Sequence, residues 1–237
     1  MKALILAAGM ASRLRPLTEN TPKCLLEIDG KCFLERTIEA LLAYNISDIT
    51  IVTGFLREQI EAFMSETFPD LKVEFVYNEK YNSTNNIYSL WMAKESMNVD
   101  DFLLLDSDIL FDKEIISKLL DNATPDCLAL NRHSLGEEEI KVIVDANNKV
   151  IEISKICDIE AAIGESIGIE KISSTYAKCL FEELDVMIKE EKLENVFYER
   201  AFERLIPKGK MFEIVDTSDL FSMEIDTVED YMEAQSR

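Results

Sequence analysis

Apolar positions in this chain fall into short continuous runs that alternate with stripes of helical spacing. Ala3 to Leu6 is an apolar run of strand length, and Phe33 to Tyr44 repeats apolar residues at Phe33, Leu34, Ile38, Leu41 and Leu42, one face of a helix. The alternation continues with a strand at Ile49–Val52, a helix at Arg57–Phe68, a strand at Leu71–Val76, a helix at Ile87–Met97 and a strand at Phe102–Leu105. Regular strand–helix alternation predicts a parallel, doubly wound α/β sheet. Ligands of such sheets bind beyond the carboxyl ends of the strands.

After Thr124-Pro125-Asp126 the rhythm changes. Cys127–Leu130, Ile140–Val144, Val150–Ile153 and Ser166–Ile172 read as consecutive strands, with Asn147-Asn148 as a turn between two of them. Helices are expected at about Ser174–Lys189 and Val196–Leu205, and late strands at Phe212–Val215 and Ser222–Ile225. A closing helix at Thr227–Glu233 has Thr227 as N-cap and Asp230 three residues on, a capping-box spacing. There is no internal repeat, low-complexity tract or Gly/Ser linker, so one domain over residues 1–237 is expected.

Charge narrows the partners. The chain carries 25 Lys+Arg against 46 Asp+Glu, a formal net charge of −21. No basic surface is available to release counterions from nucleic acid or to meet anionic lipid, so neither is an expected partner. The acid excess reads mostly as solvated helix faces such as Lys189 to Glu194. Five cysteines, an odd number with no Cys-x-x-Cys, fit reduced thiols in a cytoplasmic protein. The apolar stretch Ala3 to Ala11 is short for a signal peptide and runs at once into Ser12-Arg13-Leu14-Arg15. No apolar stretch of about 18 residues is present, so no transmembrane helix is expected.

The first strand leads into the most distinctive segment. After Leu6 come Ala7, Ala8, Gly9, Met10, Ala11 and Ser12, small or flexible residues that let backbone approach a ligand; Arg13, Arg15 and Lys23 then add cations, with Pro16 and Pro22 stiffening the loop. A strand, a small-residue turn and fixed cations make a site for a polyphosphate. The stretch LAAGMASRLRPLTENTPKCLLEIDGK resembles the signature loop of the sugar-phosphate and choline-phosphate nucleotidyltransferases, L-A-A-G-x-G-[ST]-R-x-x-P-x-T…P-K. It departs once: Ala11 replaces the second glycine and brings a Cβ that disfavours positive φ. The resemblance implies a Rossmann-like three-layer α/β/α nucleotidyltransferase (GT-A-like) fold with a mixed, mostly parallel central sheet. Residues of about 1–125 would form a nucleotide-binding half and about 126–237 an acceptor-binding half.

Leu103-Leu104-Leu105-Asp106-Ser107-Asp108 ends an apolar strand with two carboxylates on one face. Two readings fit them: hard ligands for a cation such as Mg²⁺, or an acidic turn opening the helix after Asp112. Met223-Glu224-Ile225-Asp226-Thr227 is a second short strand ending in Asp. The resemblance pairs the two places, with Asp108 and Asp226 as the Mg²⁺ ligands and Asp106 just behind them, on the nucleotide side. It also implies the reaction, attack of an anionic phosphate or phosphonate oxygen on the α-phosphorus of a nucleoside triphosphate, with loss of pyrophosphate. A phosphomonoester has its second pKa at about 6, so the nucleophile is already largely ionised at neutral pH. The task is then positioning and charge neutralisation. The resemblance places Lys23 at phosphate near the reacting centre, Arg13 at the β- and γ-phosphates, and Lys155 at the acceptor phosphate and α-phosphate. Lys155 reads equally as a solvated lysine, and Lys141, after the Glu137–Glu139 run, is a further acceptor candidate. The single histidine, His133, reads as a surface or rim residue rather than a general base.

Asn78 to Trp91 is the second distinctive stretch, polar amides and hydroxyls ahead of an amphipathic helix. Its amides can read a base edge or cap the helix, and one residue can do both. The pattern N-x-x-Y…N-N-x-Y-S-L resembles the cytidylyltransferase branch that activates phosphocholine and 2-aminoethylphosphonate. It implies CTP as donor, with Asn78, Asn85 and Asn86 beside the nucleotide, and a small phosphorylated or phosphonate amine as acceptor. Tyr88, Trp91, Phe197 and Tyr198 could offer π-faces to an ammonium group and Glu139 or Glu199 a counter-charge, although Trp91 equally suits a core position. The alternatives are a sugar-1-phosphate nucleotidyltransferase and a non-catalytic nucleotide-binding regulator. Related enzymes often dimerise, which makes a homodimer the candidate assembly.

Overall fold

The computed structural model of the chain describes residues 1–97 and 100–237. The first apolar run is strand β1 (Lys2–Ala7). Two single-turn 3-10 segments, Ser12–Leu14 and Lys23–Leu25, and a small hairpin of β2 (Glu27–Ile28) and β3 (Lys31–Cys32) lead to α1 (Phe33–Ala43). Then follow β4 (Ile49–Thr53), α2 (Arg57–Thr67), β5 (Val73–Tyr77), α3 (Asn86–Met92), α4 (Lys94–Met97), β6 (Phe102–Asp106), β7 (Ile109–Phe111) and α5 (Glu114–Asp121). The second half contains β8 (Cys127–Asn131), β9 (Lys141–Val144), β10 (Val150–Ser154), β11 (Gly164–Ile172), α6 (Ser174–Asp185), α7 (Glu199–Leu205), β12 (Glu213–Asp216), β13 (Ser222–Glu224) and α8 (Val228–Gln235).

Strands β5, β4, β1 and β6 lie side by side and parallel, as the strand–helix alternation requires. The chain steps outward from β1 to β4 and β5, then returns to the other side of β1 as β6. That reversal opens a crevice at the carboxyl ends of β1 and β6. Side chains alternate between two apolar layers. Leu4, Phe102 and Leu104 pack towards α3, α6 and α7; Ala3, Ile5, Leu103 and Leu105 pack towards α1, α2 and α5. The result is a mixed, three-layer α/β/α sheet of nine strands.

Three expected helices differ in extent. The Ile87–Met97 helix is two, α3 and α4, parted at Ala93, whose ψ of 2° leaves helical geometry. The helix expected from Val196 starts at Glu199, and the Tyr198 N–H donates to the Asn86 Oδ1 instead. The helix from Ser174 is regular to Asp185 and continues as a π turn, Val186–Glu190.

The antiparallel strand β11 joins the two halves. β8 runs along one of its edges, while the other edge is divided: β9 pairs with Gly164 and Glu165, and β6 with Ile169 to Ile172. Between those pairings Ser166, Ile167 and Gly168 form one wall of a cleft. Gly168 has φ of +72°, and a Cβ there would lie 2.7 Å from Asp106 Oδ2. The conformation and the close approach both require glycine. Ala11 shows the opposite case. It takes φ 45° and ψ 51°, the left-handed geometry that the signature glycine would adopt without strain.

These two positions predict opposite effects on thermal unfolding. Gly168→Ala should lose roughly 2 kcal/mol or more from the left-handed backbone and the clash together. Ala11→Gly should gain about 0.5–1 kcal/mol, the relief of strain less glycine's extra unfolded-state entropy. A Gly168→Ala variant as stable as wild type would contradict the first estimate, and a less stable Ala11→Gly the second.

Candidate active site

Two aspartates far apart in sequence meet because of a small accessory sheet. Asp108 sits in the tight connection between β6 and β7; β13 pairs antiparallel with β7, with Glu224 opposite Ile109. The Ile225 N–H then donates to the Asp108 carbonyl at 3.1 Å. Asp226 follows, held by its own N–H on Asp230 Oδ2 at 3.0 Å, while Thr227 and Asp230 form the capping box of α8. One carboxylate oxygen from each of Asp108, Glu224 and Asp226 lies within 4.8 Å of the others.

The basic loop closes over this cluster. The Lys23 ammonium donates to Asp108 Oδ2 at 2.8 Å and to Asp226 Oδ1 at 2.7 Å. Arg13 pairs with the other oxygen of Asp226 and approaches Glu138 Oε2 at 3.7 Å. Burial by itself would lower the pKa of Lys23, but the charges and hydrogen bonds of Asp108 and Asp226 outweigh it and hold the ammonium above its ordinary value. Burial opposes ionisation of Asp226 as well, yet Lys23 and Arg13 keep its carboxyl below the usual range. Among the described residues no cation bonds Glu224 directly, and the charge of Lys23 offsets its surroundings only in part. Burial, together with the charges of Asp108 and Asp226, pushes its pKa up to about 8.

These residues fit a hard divalent cation. The donors are all carboxylate oxygens, and Asp108 Oδ1 is buried with no hydrogen-bond partner among the described residues. Asp106 stands behind them. Tyr198 donates its hydroxyl to Asp106 Oδ2 at 3.1 Å, and burial followed by the charges of Asp108, Glu199 and Glu170 raises its pKa well above the ordinary carboxylate value.

The cleft encloses about 330 Å³. From the first half its walls include Leu6, Ala8, Gly9, Ala11, Arg13 and Lys23, together with Asn78, Asn85, Asn86 and Asp106. Met10 and Ser12 belong to the same loop but not to the wall. Asn78 is buried and saturated: its amide donates to Thr84 Oγ1 and Ser89 Oγ at 3.2 and 3.1 Å, and its Oδ1 accepts from the Lys80 N–H. It therefore fixes the loop that carries Asn85 and Asn86. Asn85 caps α3, so the amide and the helix terminus occupy one wall.

Of the positions expected to meet an acceptor, Lys155 and Glu199 line the cleft, and four others do not. Lys141 is buried, with its ammonium spent on the carbonyls of Glu137, Glu139 and Lys155 at 3.3, 3.3 and 2.7 Å. Tyr198 is a core residue whose hydroxyl serves Asp106. Tyr88 packs on Trp91, with ring centroids 5.2 Å apart. Glu139 turns its carboxylate back to the Gly136 N–H at 2.9 Å. His133 bonds Glu165 at 2.8 Å and Ser134 O at 3.0 Å, outside this cleft. Sequence reasoning missed Glu224 as a member of the carboxylate cluster. The signal was present, because Glu224 and Asp226 are two residues apart on an extended segment and share a face.

A basic loop over a carboxylate cluster, at the ends of parallel strands in an α/β/α sheet, defines a nucleotidyltransferase-type site. The profile of the MobA-like NTP transferase domain matches residues 3–201, and the chain belongs to that family. A choline-phosphate cytidylyltransferase of Haemophilus influenzae is 31% identical over 98% of this chain and 94% of its own length. A 2-aminoethylphosphonate cytidylyltransferase of Lancefieldella rimae is 27% identical over 83% of this chain and 77% of its own. Among solved structures, the CTP:phosphocholine cytidylyltransferase of Streptococcus pneumoniae superposes with a TM-score of 0.82 at 27% identity, covering 99% of this chain and 97% of that one. The fold is accordingly the GT-A-like nucleotidyltransferase fold.

The buried acids predict a pH dependence of stability. Burial raises Glu199 to about 7, and it raises Asp106 and Glu170 in the same direction. Between pH 5 and 8 the folded protein thus holds more protons on these groups than the unfolded chain. Stability must fall as pH rises through that window, by a few kcal/mol. Thermal unfolding of the free protein should give a lower Tm at pH 8 than at pH 5.5, and a flat or rising profile would refute the assignment.

Proposed function

We propose that this chain transfers CMP from CTP to a small phosphorylated or phosphonate amine and releases pyrophosphate. The observation that carries it is the convergence of Lys23, Asp108 and Asp226 beneath the Gly9–Arg13 loop. Residues of about 1–125 bind the nucleotide, and those of about 126–237 the acceptor. The resemblance of the Asn78–Leu90 segment and the cytidylyltransferase relatives support CTP as the donor.

Loop backbone at Gly9 and Ala11 and the Arg13 guanidinium hold the terminal phosphates. The α3 end, with Asn85 and Asn86, holds the nucleoside. Lys155 holds the acceptor's phosphate or phosphonate, and Lys23 the phosphate at the reacting centre. An acceptor oxygen forms the new bond to the α-phosphorus, the bond from that phosphorus to the bridging oxygen breaks, and pyrophosphate carries away the electron pair. No protein base is required, because the nucleophile is already an anion. Mg²⁺ is the cation proposed for Asp108, Glu224 and Asp226, and when bound it supplies charge neutralisation to the triphosphate oxygens.

A pyrophosphate-release assay with CTP, UTP, dTTP and GTP against phosphocholine, 2-aminoethylphosphonate and glucose-1-phosphate tests this. CTP with an amine acceptor should dominate. Asp108→Asn and Asp226→Asn should each lower turnover by roughly 100-fold or more with unfolding still cooperative, and Lys23→Ala by a few kcal/mol of transition-state stabilisation. Wild-type rates in both aspartate variants would refute the metal site, and a preference for a sugar phosphate would refute the acceptor.

A further inference from the structure

The acceptor side of the cleft is built from opposite charges and one aromatic ring. Lys155 follows β10, with its ammonium 3.2 Å from Glu138 Oε2 and 4.7 Å from the centroid of Phe197. Glu199, the first residue of α7, lines the same cleft, is only 5% exposed, and keeps its Oε2 buried without a hydrogen-bond partner among the described residues. Behind it Glu170 is fully buried, also with an unpartnered Oε2, and Glu170 and Asp106 both feel the charge of Glu199. A buried carboxylate oxygen left unpaired is costly, and a donor that reaches it recovers that cost. Lys155 is the cation whose charge acts on Glu199, and the acceptor's anionic end is expected to claim it.

Resting on the CMP-transfer function proposed above, we propose that the acceptor carries a primary ammonium whose N–H groups bond Glu199, and that a trimethylammonium acceptor is discriminated against. The wall then matches a zwitterion, with Lys155 for the phosphate or phosphonate and Glu199 for the amine. A trimethylammonium group has no N–H to offer Glu199 and is best held by several aromatic faces. Phe197 gives this wall one ring, and that ring already carries the Lys155 ammonium. Tyr198 is buried on Asp106 and Tyr88 stacks with Trp91. Tyr81 also lines the cleft, but at the Ala8–Gly54 end, the nucleotide side of the proposed function, where its ring packs against Phe55.

Steady-state kinetics of the full chain with CTP and Mg²⁺ test this on three probes: 2-aminoethylphosphonate, phosphocholine and propylphosphonate. The primary amine should exceed phosphocholine in kcat/KM by roughly 100-fold, the scale of a buried charged hydrogen bond. Glu199→Gln should collapse the ratio of 2-aminoethylphosphonate to propylphosphonate by a similar factor without lowering Tm, because it removes a buried charge. Phosphocholine turned over as well as the primary amine would overturn the proposal, and so would equal losses on both phosphonates in Glu199→Gln. If no acceptor consumes CTP, CMP transfer itself fails. Calorimetric titration of the same three probes into wild type and Glu199→Gln then decides the amine site separately: tighter binding of the primary amine, lost in the variant, sustains it, and equal affinities overturn it.

Discussion

A single ammonium group ties three remote parts of this chain to one point. Lys23 comes from the loop after β1, Asp108 from the end of β6, and Asp226 from the segment entering α8. The lysine bonds both aspartates while its own side chain is only 10% exposed. Without it, Asp108, Glu224 and Asp226 would crowd like charges into a half-dry cleft, and they would separate or take up protons. Removing one partner from such a cluster costs about 3–5 kcal/mol, mostly from the charges left unpaired. The pairing therefore works less as general stabilisation than as registration. It sets the basic loop at a fixed height over the strand ends.

The sheet makes room for that registration by dividing one edge of β11 between β6 and β9. Where the two pairings separate, backbone at Ser166 to Gly168 becomes a wall instead of a ladder. Gly168 lets this wall come close to Asp106, and the Tyr198 hydroxyl donates to the same carboxylate oxygen. The cleft is thus a consequence of strand pairing. The loop after β1 then supplies its cations, and the β7–β13 pair supplies its third acid.

The sequence displayed the parallel half clearly, because buried strands read as uninterrupted apolar runs and their helices as stripes. It also displayed the basic loop and both aspartates that the structure brings together, since small residues, cations and strand-terminal acids follow local rules. Tertiary partners were hidden. Nothing in Glu139-Ile140-Lys141 announces that the lysine will be spent on three carbonyls, and nothing in Phe197-Tyr198-Glu199 says which ring faces the cleft. Tyr198 reads as a ligand-facing aromatic until the Asn86 side chain is seen to anchor its backbone N–H. The break at Ala93 was equally invisible, because alanine by itself favours continuing the helix. Glu224 was legible but overlooked, as the two-residue alternation that joined Asp106 to Asp108 also joins Glu224 to Asp226.

The charge balance of the molecule explains why chemistry here would rest on electrostatics. A chain of net charge −21 repels a triphosphate at long range, but that field is screened beyond about 8–10 Å in physiological salt. Inside the cleft the balance is local, and Arg13, Lys23 and Lys155 all stand there. Each already holds a carboxylate, Asp226, Asp108 or Glu138, so under the proposed function an arriving phosphate would exchange one oxyanion for another with no bare charge exposed. His133 is occupied by Glu165 and Ser134 and lies outside the cleft. Among the described residues the cleft therefore holds fixed charges in place of an ordinary imidazole base, and a nucleophile that arrives ionised needs only those.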